Sequence, residues 1–146
     1  VFSREFTTSI KRTPEWYAAA AETFLVLNAV CLAVRLLPFR HAIRLGSRKI
    51  FHPRSFIDER VLRRSVGLVN RWSDLLPWRS VCIQRGLALQ WLLRSRGIDA
   101  RLHYGARILQ QRGLQAHVWV CVADRIVIGE TVDDFKCLAV FPRDRQ

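Results

Sequence analysis

A thiol at the mouth of a helix, an imidazole in an apolar strand and a carboxylate on the next strand supply a nucleophile, a base and an orienter for acyl chemistry. Cys82, His117 and Glu130 have those types in that chain order. Cys82 opens the run Cys82-Ile83-Gln84-Arg85-Gly86-Leu87-Ala88-Leu89, in which Ile83, Leu87 and Leu89, with Trp91, Leu92 and Leu93 beyond, recur at helical spacing. Ser80 reads as the N-cap, and Gly97 as the residue past the C-terminus after the basic turn Arg94-Ser95-Arg96. The thiol then lies in the first turn, where unpaired N–H groups and the positive end of the helix favour thiolate, and Arg79 and Arg85 act in the same direction. On position alone, a small buried hydrophobe is the commoner fate of such a cysteine.

The imidazole and the carboxylate are joined by hairpin register. Ala116 to Val122 and Arg125 to Glu130 are strands flanking a tight turn at Ala123-Asp124. A two-residue turn pairs Val122 with Arg125 and Trp119 with Ile128, and the same ladder sets Glu130 opposite His117, with Cβ atoms about 5 Å apart. Asp124 is a rival acid at the turn tip, about 20 Å along the strand from His117. Asp133 and Asp134, past the third strand, are further rivals that a bulge would bring near. Cys121 shares the parity of His117 and Trp119 and belongs on their face.

These residues need a scaffold, and the chain divides into a helical first half and a stranded end. After an arm, Val1 to Arg12, the residues Thr13-Pro14-Glu15 form a helix start, and the helix runs to about Leu37, before Pro38. It is long enough to span a membrane, but Glu22, Thr23 and Asn28 favour a core helix, leaving a peripheral membrane contact open. His41 to Ile50 reads as a short basic helix and Phe51 to Ser55 as a loop. Asp58 to Trp72 reads as a second long helix with Val61, Ser65, Leu68, Val69 and Trp72 on one side. After Gly97 the period becomes two. Ala100, Leu102, Tyr104, Ala106 and Ile108 alternate with Arg101, His103, Gly105 and Arg107, so His103 is expected in solvent. Leu109 to Gln115 reads as a polar loop, and Cys137 to Phe141 as a last edge strand in an antiparallel meander. The fold class is α+β, in one domain over 1–146, with a helical part over 1–77 and a catalytic core over 78–146.

Composition sets the wider limits. Half of the 146 residues are hydrophobic, which suits a packed domain rather than a disordered chain. Lys and Arg number 24 against 12 Asp and Glu, a net charge of +12 spread over helices and loops. Such a surface suits an anionic membrane, nucleic acid or an acidic peptide, and equally a set of solvated helix faces. Cys31, Cys82, Cys121 and Cys137 lack the close pairing of a zinc site, and no signal peptide is visible at the start, so a cytoplasmic setting with reduced thiols is expected. Val1 in place of methionine reads as a truncated or tag-cleaved start, with the native N-terminus missing. Trp78 suits either the wall of a substrate groove or the core, Gln84 suits an oxyanion donor but better a helix surface, and His41 and His52 show no partner.

The matches Cys82 to Leu89, Leu92-Leu93-Arg94-Ser95-Arg96-Gly97-Ile98-Asp99-Ala100, Tyr104-Gly105 and Ala116-His117-Val118-Trp119-Val120 resemble the leader peptidases of lasso-peptide biosynthesis. Those enzymes are a branch of the transglutaminase-like, papain-type cysteine peptidases. The likeness is specific from Trp78 to Glu130. Val118 and Cys121 depart from it, standing where alanine and glutamate are usual. The resemblance implies a nucleophile-bearing helix packed on a small antiparallel sheet, with Cys82 as nucleophile, His117 as base and Glu130 as third member. It implies removal of a leader segment from a precursor peptide through a thioester, with neither metal nor cofactor. It also implies a separate leader-recognition protein, for which this chain has no room, and an ATP-dependent cyclase downstream. It implies a peptide substrate and no nucleic-acid partner. Transfer of the acyl group to an amine, as in transglutaminases, uses the same triad, and a basic non-catalytic adaptor is the rival of another class.

Overall fold

The computed structural model describes residues 13–50, 52–77, 82–129 and 133–143. Among them are four helices, α1 (Pro14–Leu36), α2 (Phe39–Gly46), α3 (Glu59–Leu75) and α4 (Cys82–Ser95). Four strands follow, β1 (Ala100–Leu109), β2 (Gly113–Val122), β3 (Arg125–Ile128) and β4 (Lys136–Phe141). The fold is α+β, as the sequence indicates.

Local chemistry sets the helix ends. Thr13 caps α1, its hydroxyl accepting from the Trp16 amide, with Pro14 in the first turn. Asp58 caps α3 by accepting from the amides of Arg60 and Val61. Gly97, at φ +79°, ends α4: its amide donates to the Arg94 carbonyl and that of Ile98 to the Leu93 carbonyl. That is the paired hydrogen bonding of a Schellman turn, and Leu93 and Ile98 are both buried beside it. The short helix differs from expectation. It begins at Phe39, directly after Pro38, and closes at Gly46, so residues 47–50 are not helical. A side chain on Gly46 would run into Gln90 of α4, which fixes how closely that turn approaches.

α4 is the central element. Leu87, Ala88, Leu89, Leu92 and Leu93 are wholly buried between α1, α2 and α3 on one side and the sheet on the other. Gln90, also fully buried, donates to the carbonyls of Ala100 and Phe141 and ties the helix to β1 and β4. Burying leucine side chains of this kind stabilises by about 1.5–3 kcal/mol each. α1 is long and apolar enough to cross a membrane. Here its Thr23, Leu27, Val30 and Cys31 face is buried on the other helices, and its opposite face is exposed.

The sheet is antiparallel in the order β3-β2-β1-β4, which corrects the simple meander: β4 crosses over to pair with β1 instead of β3. The first hairpin is longer than expected. Residues read as a loop before Ala116 extend β2 back to Gly113, so that Leu109 pairs with Gly113. Leu102, Val118, Val120 and Val122 point to α4 and are buried. Ile108, of the same parity, lies past the end of the helix layer and is 83% exposed.

Candidate active site

Cys82 is the first residue of α4, half-buried and packed against the core. Its level along the sheet follows from two contacts. Gln90 bonds the Ala100 carbonyl at 3.2 Å, and a side chain on Gly86 would meet Leu102 and Val118 at 3.0 and 3.1 Å. Four helical residues advance about 6 Å, as do two strand residues. Cys82 lies one turn beyond Gly86, at the end of α4 away from the Ala100 contact.

His117 lies on β2, which α4 covers. Because Val118 faces α4, alternation sends His117 and Trp119 to the other face of the sheet. Among the described residues no hydrogen bond joins the Cys82 thiol to this imidazole. The ring stacks near Trp119 with centroids 6.1 Å apart and meets Phe135 at 5.0 Å. Its Nε2 is 3.3 Å from the Gly129 carbonyl oxygen. A carbonyl only accepts, so this contact places the proton of the neutral ring on Nε2 and leaves the Nδ1 lone pair to accept another.

The acids fall out differently from the register argument. Val122 pairs with Arg125 as expected, but a bulge between Val120 and Cys121 puts Ile128 opposite Val120 instead of Trp119. The ladder is thus offset by one residue at Ile128, because a bulge inserts an extra residue into one strand. Glu130 itself lies outside the described residues, as do Trp78, Arg79 and Ser80. Asp124 is at the turn tip, exposed. Asp134 pairs with Arg107 at 3.3 Å, and the same guanidinium lies 4.5 Å over the Phe135 ring. Asp133 is exposed in the adjoining turn.

Two residues behave otherwise than the sequence suggests. Gln84 is buried, not a surface glutamine, since α4 has neighbours on nearly every side. His103 is half-buried instead of solvated: it stacks on Trp119 at 5.6 Å, and its Nδ1 is 3.7 Å from the Cys137 thiol. Burial, and secondarily Arg101, holds its pKa below the usual histidine range. The parity of His103 with His117 was legible, but the β1–β4 pairing that delivers Cys137 was not. Cys121 does share the face of Trp119. Burial pushes its thiol pKa up, with Cys137 and Asp124 adding to the effect. Among the described residues no three His, Cys, Asp or Glu side chains gather as a metal cage requires.

Residues 24–140 match a family model described as the transglutaminase-like superfamily. No curated protein and no solved structure matches the chain.

Proposed function

Since the chain belongs to the transglutaminase-like superfamily, whose members generally carry cysteine-based catalytic activity, we propose that it is a cysteine peptidase. Its reaction is removal of the leader segment from a ribosomally made lasso-peptide precursor. What supports the reading is that Cys82 is the first residue of α4 and that α4 packs on β2, the strand that carries His117. In this proposal the Cys82 thiolate attacks a peptide carbonyl near the end of the leader. His117 takes the thiol proton at Nδ1 and later gives it to the departing amine. Backbone N–H groups of the first turn of α4 stabilise the oxyanion, and water activated by His117 then releases the thioester. Glu130 is the proposed third member, with Asp124, Asp133 and Asp134 as rivals. Because His117 leaves β2 on the face away from α4, the proposed thiol–imidazole contact requires the imidazole or the start of α4 to move when substrate binds.

The working context is likewise proposed: a cytoplasmic bacterial enzyme of antibiotic biosynthesis, acting with a separate leader-recognition protein and handing the freed core to an ATP-dependent cyclase. The lasso-type resemblance over 78–130 supports it.

The test is incubation of a lasso precursor with the protein, with and without a leader-binding partner, read by mass spectrometry. A cut at the leader–core junction, lost in Cys82→Ala and His117→Ala, is the expected result. A mass gain from added amine instead reveals acyl transfer. Unchanged cleavage in Cys82→Ala overturns the mechanism.

A further inference from the structure

α1 is apolar on both of its faces, yet the fold covers only one. Ala18, Ala21, Leu25, Ala29, Leu32 and Leu36 follow one another every three or four residues, and all are exposed. Leu25 is 65%, Leu32 59% and Leu36 71% exposed, and Leu37 and Phe39 continue the exposed apolar surface past the helix end. A stripe about 30 Å long at 1.5 Å per residue is far more apolar surface than a solvated helix normally shows.

Beyond Glu22, the charge that follows this stripe along the chain has one sign. Between Glu22 and Asp58 the chain has no acidic residue, but it carries Arg35, Arg40, Arg44, Arg48, Lys49 and Arg54. A cleft of about 550 Å³ opens at the C-terminal end of α4, lined by Arg48, Lys49, His52, Arg54, Arg94 and Arg96. Its five Lys and Arg side chains face three carboxylates: Asp99 on Arg94, Glu22 on Arg96 and Asp58 on Arg54. Arg48 also lies over the Trp91 ring. The Glu22–Arg96 pair joins cleft to stripe, because Glu22 follows Ala21 and is one turn from Leu25.

We infer that this face docks on an anionic phospholipid surface, with the α1 stripe lying in the interfacial layer and the cationic cleft taking lipid phosphate. An exposed apolar stripe alone would suit several occupants. An acid-free run of six cations and a positive cleft beside it select an anionic one, and a flat helix face with an adjoining headgroup-sized cleft matches a bilayer surface. The helix lies on the bilayer and does not cross it, since its Leu27 and Val30 face is held in the protein core.

The test is co-sedimentation of the full chain with sucrose-loaded vesicles. The expected result is binding to phosphatidylcholine–phosphatidylglycerol vesicles at least tenfold tighter than to phosphatidylcholine alone, weakening as salt rises. Leu25→Ser/Leu32→Ser/Leu36→Ser should abolish it, and Arg48→Gln/Lys49→Gln should weaken it about tenfold. If the triple variant melts early, Leu36→Ser alone carries the comparison. Equal affinity for both vesicles, or none for either, overturns the inference. So does a dimer in light scattering that the serine variant dissolves, which makes a second copy the occupant. Thermal stabilisation by inorganic phosphate without vesicle binding makes the cleft a free-phosphate site instead. Binding of a single-stranded RNA oligomer that the serine substitutions leave intact, with no vesicle binding, makes the partner a nucleic acid.

Discussion

The Nε2 atom of His117 lies 3.3 Å from the carbonyl oxygen of Gly129, so the main chain after β3 orients the imidazole. Gly129 has φ +90°, and a Cβ there would lie 2.7 Å from Trp119 Cα and Cβ and from the Val118 carbonyl. Gly129→Ala therefore has both a disfavoured backbone and a collision with the strand that carries His117. Its expected cost is about 1–3 kcal/mol from the backbone alone, read as a lower midpoint in chemical denaturation. Nitrogen-15 NMR of the wild type should find the neutral His117 ring protonated at Nε2, and the variant should lose that preference.

Gly86 is where α4 comes closest to the sheet. A Cβ there meets Leu102 at 3.0 Å, Val118 at 3.1 Å and Val120 at 3.6 Å, all on packed side chains. Gly86→Val should lift the helix and destabilise the fold by about 1–3 kcal/mol, the usual range for an overpacked core. Since Cys82 is one turn away, precursor cleavage should fall more than stability accounts for. Thermal melts beside cleavage rates at a temperature where both proteins are folded check this.

Much of this scaffold was legible because local chemistry governs it. Thr13-Pro14, Asp58 and Gly97 mark helix ends through their own side chains or backbone, and the period-two run from Ala100 is a strand on pattern alone. The turn at Ala123-Asp124 likewise delivered the Val122–Arg125 pair. What failed depends on distant partners. The bulge at Val120/Cys121 is invisible in alternation, and it puts Ile128 opposite Val120 where a regular ladder has Trp119. The pairing of β4 with β1 put Cys137 on His103, a contact across 34 residues. The buried Gln90 and Gln84 look like surface residues until α4 is seen to be enclosed on nearly every side.

The burial of His103 has consequences in pH. Burial depresses the His103 pKa from the ordinary 6.5, so the unfolded chain takes up a proton there before the native protein does. Stability from this group is complete above 6.5 and is lost as pH falls through the depressed native value. Denaturation midpoints should drop as pH falls from 6.5 to the depressed native value, where this group's contribution levels off, and His103→Gln should flatten the drop. Among the thiols, the raised pKa of Cys121 leaves it less thiolate at neutral pH. Iodoacetamide should label it more slowly than exposed Cys137, as peptide mapping would report.

Phe135 covers the His117 ring at 5.0 Å and is itself covered by the Arg107 guanidinium at 4.5 Å, which Asp134 holds at 3.3 Å. The two layers should respond differently to substitution. The Asp134–Arg107 pair is exposed on the carboxylate side, and such pairs contribute about 0–1 kcal/mol. Asp134→Asn should thus leave the melting temperature nearly unchanged, and if Asp134 is not the third catalytic member it should leave cleavage nearly unchanged as well. Phe135→Ala removes the apolar cover itself and opens the imidazole to solvent. Diethylpyrocarbonate should then modify His117 several-fold faster than in the wild type, with the rate in Asp134→Asn lying close to wild type. Equal rates in all three proteins would show that Phe135 does not shield the ring, and a large loss of cleavage in Asp134→Asn alone would move the third catalytic role from Glu130 to Asp134.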